Sequence, residues 1–146
     1  VASGKSIVLG YDRSPGARRA LDIAIELAGS FDVLLVLVHG IAPPNVVGEE
    51  AGQAREALDD MDEQVAAPAV AAAEAAGVRV LVEVVDSRPA PALIAAADEH
   101  DALVIVVGTW NESPLRGALL GSVSHKLLQI SARPVLCVPA TAPDAS

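Results

Sequence analysis

The 146 residues carry 10 basic and 19 acidic side chains, a formal charge of −9, with 52% hydrophobic residues, 2% aromatics and a single cysteine. A chain of this size buries about 70% of its unfolded surface in one domain, so Ala, Val, Leu and Ile can fill the core without a disulfide or metal staple. Acidic charge and scarce aromatics argue against nucleic acid as a partner; the lack of a roughly 20-residue apolar run or of a charged-then-apolar leader argues against a membrane, so a cytoplasmic chain is expected.

The first apolar run, Ser6 to Gly10, predicts a strand. A helix follows from Pro15 to Ala28: Leu21, Ala24, Ile25 and Ala28 recur at three and four, while Arg18, Arg19 and Glu26 face water. Ser14 and Pro15 supply its cap and first-turn proline. Val33 to His39 is the second strand, and Ile41 to Gly48, with Pro43 and Pro44, is a surface loop. Glu50 to Ala76 reads as a helix closed by Gly77, within which Pro68 predicts a kink or a break. Val78 to Val85 is the third strand, Ala90 to His100 the next helix, Leu103 to Gly108 the fourth strand, Gly121 to Ile130 the last helix and Val135 to Val138 the fifth strand. Thr141 to Ser146 reads as a frayed tail.

The central apolar runs are continuous rather than alternating, as in strands buried on both faces. Strands alternating with helices imply parallel pairing with helices on both sides of the sheet. The expected architecture is a three-layer α/β/α sandwich with a five-stranded parallel sheet, one domain over residues 1–146 with an ordered core from about 5 to 139.

In such a sheet, ligands sit outside the carboxyl ends of the strands, where the winding direction reverses. Three of these ends carry small or polar residues: Gly10-Tyr11-Asp12, His39-Gly40 and Gly108-Thr109. The last opens a twelve-residue connection, Thr109 to Leu120, that leads into Gly121-Ser122 at a helix start. Glycines allow close backbone approach and the first helical turn offers N–H groups at the positive end of a dipole, so this segment predicts a phosphate cradle. The charge distribution agrees. Residues 49–63 hold seven acids and one base and read as a solvated face, whereas from Gly108 onward Arg116, Lys126 and Arg133 outnumber Glu112 and Asp144.

Asp12-Arg13-Ser14-Pro15, the long loop after the fourth strand, Gly121-Ser122-Val123-Ser124 and Ala132-Arg133-Pro134-Val135-Leu136 fall in the order and spacing of the universal stress protein family, which the chain resembles over nearly its full length. The resemblance implies a doubly wound, adenine-nucleotide-hydrolase-like sheet of order 3-2-1-4-5. It also implies the loop pattern G-x2-G-x9-G-[S/T] of the ATP-binding branch, matched here by Gly108, Gly121 and Ser122, with Asn111 where the second glycine belongs. Asn tolerates positive φ and its amide can donate to a phosphate, but its side chain adds bulk.

Carried over by resemblance, Asp12 stands near the adenine and ribose, and Val38 meets the adenine through its backbone. Gly108 approaches the ribose or phosphates, with Thr109 and Gly117 in the same loop, and Asn111 replaces the phosphate-loop glycine. Gly121, Ser122 and Val123 present N–H groups, and Arg116 supplies charge. The implied ligand is ATP, with or without Mg2+, in a stress-responsive regulatory module. Family members pair their fifth strands antiparallel, which implies a homodimer through Pro134 to Val138, a short apolar strand at a sheet edge. Read from the residues alone, Asp12 and Ser122 can instead be helix caps, and Arg116 is more often a solvated surface charge.

Gly4-Lys5-Ser6 is no phosphate loop, since a strand follows it rather than a helix. His39, His100 and His125 lie in different elements and share no ligand spacing with Cys137, so no protein-ligated metal is expected; His39 is either a pocket residue or a structural one. Cys137 reads as a small buried hydrophobe, and Asp98, Glu99 and Asp101 as solvated charges. No nucleophile, base and orienting group converge, so a bound nucleotide is held, with at most slow hydrolysis. The competing reading is a dimerisation or interaction protein of the same fold that binds no nucleotide.

Overall fold

The computed structural model describes residues 4–11, 15–40, 66–85, 88–109 and 122–139. They form β1 (Ser6–Gly10), α1 (Pro15–Phe31), β2 (Leu34–Gly40), helical residues 66–75 (α2), β3 (Val80–Val85), α3 (Pro89–Glu99), β4 (Ala102–Gly108), α4 (Ser122–Ile130) and β5 (Val135–Val138). The sheet runs β3-β2-β1-β4-β5 with every neighbour parallel, the expected order. The Ile41–Gly48 loop, the Ser14 cap, residues 50–65 of the predicted second helix and the Thr141–Ser146 tail lie outside the described residues.

The continuous apolar runs are explained by position in the sheet. Ile7, Val8 and Leu9 of β1, Leu35 to Leu37 of β2, and Ile105 and Val106 of β4 have no solvent exposure, because both faces of these strands are covered. Alternate residues divide the core. Ile7, Leu9, Leu35, Leu37 and Val106 pack against Ala20, Ala24 and Ala28 of α1 and Ala69 and Ala73 of α2. Val8, Val36, Val38, Ile105 and Val107 pack against Leu93, Ala96 and Ala97 of α3 and Leu127 of α4. With alanine on the helix side, strand and helix backbones pack closely, which is how a core almost without aromatics is filled at protein density. The edge strands are different. β3 and β5 are only partly covered, and Leu81, Val84 and Leu136 are exposed. Cys137, expected to be buried, is half-buried for this reason.

Helix ends depart from the sequence expectation where αL residues set them. α1 runs on to Phe31 instead of stopping at Ala28, because Asp32 takes φ 54° and lets the Val33 N–H reach the Ala28 carbonyl at 3.0 Å. Gly77 closes α2 as expected. At φ 76° its N–H meets the Glu74 carbonyl at 2.9 Å and the Val78 N–H meets the Ala73 carbonyl at 2.9 Å, a Schellman arrangement. β3 therefore begins at Val80 rather than Val78. Pro68 lies within the described helical residues, only two positions from their start, so a break ahead of it falls outside the described residues.

At the amino-terminal rim of the sheet, Arg133 ties the α4–β5 turn to the α3–β4 turn. It donates to the Ala102 carbonyl at 2.7 Å and to Asp98 and Asp101 at 3.3 Å, while Lys5 pairs with Asp101 at 2.7 Å. Hydrogen bonding from Lys5, then Arg133, holds the Asp101 carboxyl below its usual range. These acids, read as solvated, are exposed yet engaged.

Candidate functional site

The chain leaves β1 to build β2 and β3 on one side, then returns to build β4 and β5 on the other, so the winding reverses between β1 and β4. A cavity of about 120 Å³ opens at that point, outside the strands' carboxyl ends and under α3 and α4. Its floor spans three adjacent strands. Gly10 stands in register with Val38 on one side and Val107 on the other, and all three line the space.

Gly10 makes the hollow. A Cβ there would meet the Leu93 methyls at 3.0 and 3.2 Å and Val107 at 3.1 Å, so a side chain at this position would take up the space between the floor and the α3 roof. Val85, Pro89 and Leu93 wall the side toward β3 and α3, and Val123 brings the first turn of α4 to the opposite rim. Tyr11 closes the end: its N–H donates to the Val38 carbonyl at 2.9 Å and its carbonyl accepts from His39 Nδ1 at 2.8 Å. That bond makes Nδ1 the protonated nitrogen. His39 follows Leu35 and Leu37 on the α1 side of β2, away from the cavity, so of its two sequence readings the structural one holds.

The two helix starts at the rim differ in what they offer. α3 begins with Pro89 and has Pro91 in its first turn, neither with an N–H, and the Ala92 N–H is bonded to the Arg88 carbonyl at 3.1 Å. α4 begins Ser122-Val123-Ser124, whose N–H groups have no acceptor within the helix. Donors for an anionic group therefore lie on the α4 side and apolar wall on the α3 side.

Of the residues singled out from sequence, Val38, Gly108 and Val123 come together around this cavity, and Ser122 starts the helix at its rim. Thr109 does not face it; its N–H and hydroxyl both point to the Val138 carbonyl, at 2.8 and 3.4 Å, joining β4 to β5. Asp12, Asn111, Arg116, Gly117 and Gly121 lie outside the described residues. Gly108 lines the cavity, but a Cβ on it would point the other way, into the start of α1, 2.3 Å from the Gly16 carbonyl carbon. Gly10, Tyr11, Val85, Pro89, Leu93 and Val107 were not anticipated as site residues. Gly10-Tyr11 was in view as a strand end, but the hollow exists only once Leu93 is packed above it.

Among the described lining residues, Tyr11 has the only ionisable side chain, so the arrangement can hold an apolar, flat body with a polar group directed at α4. Elsewhere, the fold brings Glu83, Glu99 and His100 together, with one ligand atom of each within 4.8 Å of the others. Spacing gave no sign of this, because the partners come from two elements. Among the described residues no helix is long and apolar enough to cross a membrane.

No curated protein sequence matches the chain significantly. Solved structures do. A universal stress family protein from Burkholderia pseudomallei is 29% identical, with TM-score 0.74, covering 95% of this chain and 99% of its own. A universal stress protein in complex with cAMP is 29% identical, with TM-score 0.72 and coverage of 94% and 98%. One from Archaeoglobus fulgidus is 25% identical, with TM-score 0.75 and coverage of 92% and 98%. Residues 4–139 match the universal stress protein family. On that match, with a parallel sheet ordered 3-2-1-4-5, this chain belongs to the universal stress protein family.

Proposed function

We propose that this protein is an adenine-nucleotide-binding regulatory module, with ATP as its ligand, in the response to stress. The observation that carries the reading is the hollow above Gly10. It is apolar, lies at the switch point, and is bordered on one side by the helix start that can receive phosphate oxygens. The base would lie between Val38, Val107 and Leu93, and the phosphates would extend toward Ser122 and Val123. The relative that holds cAMP supports an adenine nucleotide as the class of ligand. Asp12, Asn111, Arg116, Gly117 and Gly121 complete the site on the family resemblance, with Mg2+ accompanying the phosphates. Glycine at 10 and hydrophobic walls are means of binding, and the module holds its nucleotide rather than turning it over. Occupancy acts by favouring the conformation with higher affinity for the nucleotide.

The same reading makes β5 a homodimer interface. It is a four-residue edge strand paired only with β4 among the described strands, and Leu136 is 38% exposed. Calorimetric titration with Mg-ATP tests the nucleotide reading: saturable heat is expected, and neither heat nor a thermal shift at millimolar nucleotide overturns it. Sedimentation tests the dimer, and a mass near that of one 14.8 kDa chain at micromolar concentration overturns it.

A further inference from the structure

β3 carries a charge on the face it turns to α3. Val80 and Val82 pack on the α1 side and Val85 on the α3 side, so alternation puts Glu83 on the α3 side. There the carboxyl end of α3 delivers Glu99 and His100. His100 Nε2 lies 2.6 Å from Glu83 Oε1, with the two side chains 17% and 25% exposed, and a Glu99 carboxylate oxygen stands within 4.8 Å of both donor atoms. The main chain that carries the imidazole is held in place: the His100 N–H donates to the Ala96 carbonyl at 2.9 Å, and buried Ser6 donates its hydroxyl to the His100 carbonyl at 2.9 Å.

We propose that Glu83, Glu99 and His100 bind one divalent transition-metal ion of the Zn2+ class, tying edge strand β3 to the end of α3. Such an ion holds nitrogen and oxygen donors tetrahedrally at about 2.0–2.2 Å, which places neighbouring donors roughly 3.4 Å apart. Reaching that geometry needs the Glu83–His100 contact of 2.6 Å to open by a little under ~1 Å and exposed Glu99 to swing inward. One imidazole and two carboxylates, with no thiolate, suit Zn2+, Mn2+ or Fe2+ and not Cu(I). Two carboxylates balance the ion's charge, and three protein ligands leave the remaining positions to water. None of Glu83, Glu99 and His100 lines the cavity, and His100 stands at the opposite end of α3 from the cavity residue Pro89, so the site is separate from the cavity and from any Mg2+ that accompanies ATP there.

The test uses the full chain, stripped with chelator and free of nucleotide, titrated with Zn2+ alone by calorimetry. One ion per chain is expected, with a rise in melting temperature. Glu83→Gln keeps a hydrogen bond to His100 but removes a charged ligand, and Glu99→Gln changes an exposed side chain. Each should weaken binding by at least about 10-fold, the loss that follows from removing even an outer supporting partner. His100→Gln should abolish binding, with circular dichroism confirming that all three variants are folded. Co2+ in place of Zn2+ should give d–d bands without thiolate charge transfer. The proposal is overturned if Zn2+ fails to saturate the chain at hundredfold excess, if the three variants bind as the parent does, or if thiolate charge transfer places the ion on Cys137.

Discussion

Two glycines at the strand ends, Gly10 and Gly108, should fail in opposite ways when replaced by alanine. A Cβ at Gly108 would lie 2.3 Å from the Gly16 carbonyl carbon and 2.6 Å from the Ala17 nitrogen and the Gly16 oxygen. Ordinary contact needs about 3.5 Å, so the start of α1 must retreat by roughly 1 Å, and backbone cannot yield as a rotamer does. Overpacking of this kind costs about 1–3 kcal/mol, and with backbone on both sides the upper end applies. At ~4 °C per kcal/mol for a chain of this length, Gly108→Ala should melt roughly 10 °C below the parent. A Cβ at Gly10 meets only methyl groups of Leu93 and Val107, at 3.0–3.2 Å, and replacing a strand glycine recovers backbone entropy. Gly10→Ala should therefore stay within about 1 kcal/mol of the parent while narrowing the hollow and weakening ATP binding about 10-fold or more. Differential scanning fluorimetry and calorimetric titration, run on both variants, read the two effects separately. If Gly108→Ala melts within about 2 °C of the parent, the packing argument fails. If Gly10→Ala binds ATP unchanged, the nucleotide does not occupy the hollow.

Arg133→Ala removes the 2.7 Å bond to the Ala102 carbonyl and should cost about 1–2 kcal/mol in urea unfolding, with Arg133→Lys recovering only part of it. Asp101 has its carboxyl pKa depressed in the fold, so its contribution to stability is present above the ordinary carboxylate pKa and is lost as pH falls through the lowered folded value. Asp101→Asn, which tolerates the φ of 50° there, should be slightly less stable than the parent at neutral pH, and the gap should close in urea melts taken below about pH 4. Leu136→Lys puts a charge on the exposed side of β5 and should leave the melting of the single chain nearly unchanged while shifting sedimentation to one 14.8 kDa chain.

The strands and helices were legible from the pattern of apolar residues, because burial on both faces forces continuous runs such as those of β1, β2 and β4 and leaves little choice of element. Helix ends were less so. Asp32 ends α1 in the left-handed conformation, a role that sequence assigns first to glycine, and no local signal marks which aspartate adopts it. The place of the cavity was legible too, since the carboxyl ends of the strands can be read off locally. What each residue does there was not. Whether Gly108 serves a ligand or the seam with Gly16, whether His39 turns to the cavity or away from it, and which residue roofs the hollow all depend on elements far apart in the chain meeting at distances of a few ångströms. The same holds for Glu83 and His100: sixteen positions of intervening chain conceal a pair that one strand and the helix after it bring to 2.6 Å. Sequence by itself determined what lies inside and the order of the elements, because hydrophobic periodicity is written residue by residue. Only the packing of helix on sheet decided which side chains converge, because convergence depends on register and face, and neighbours along the chain do not record either.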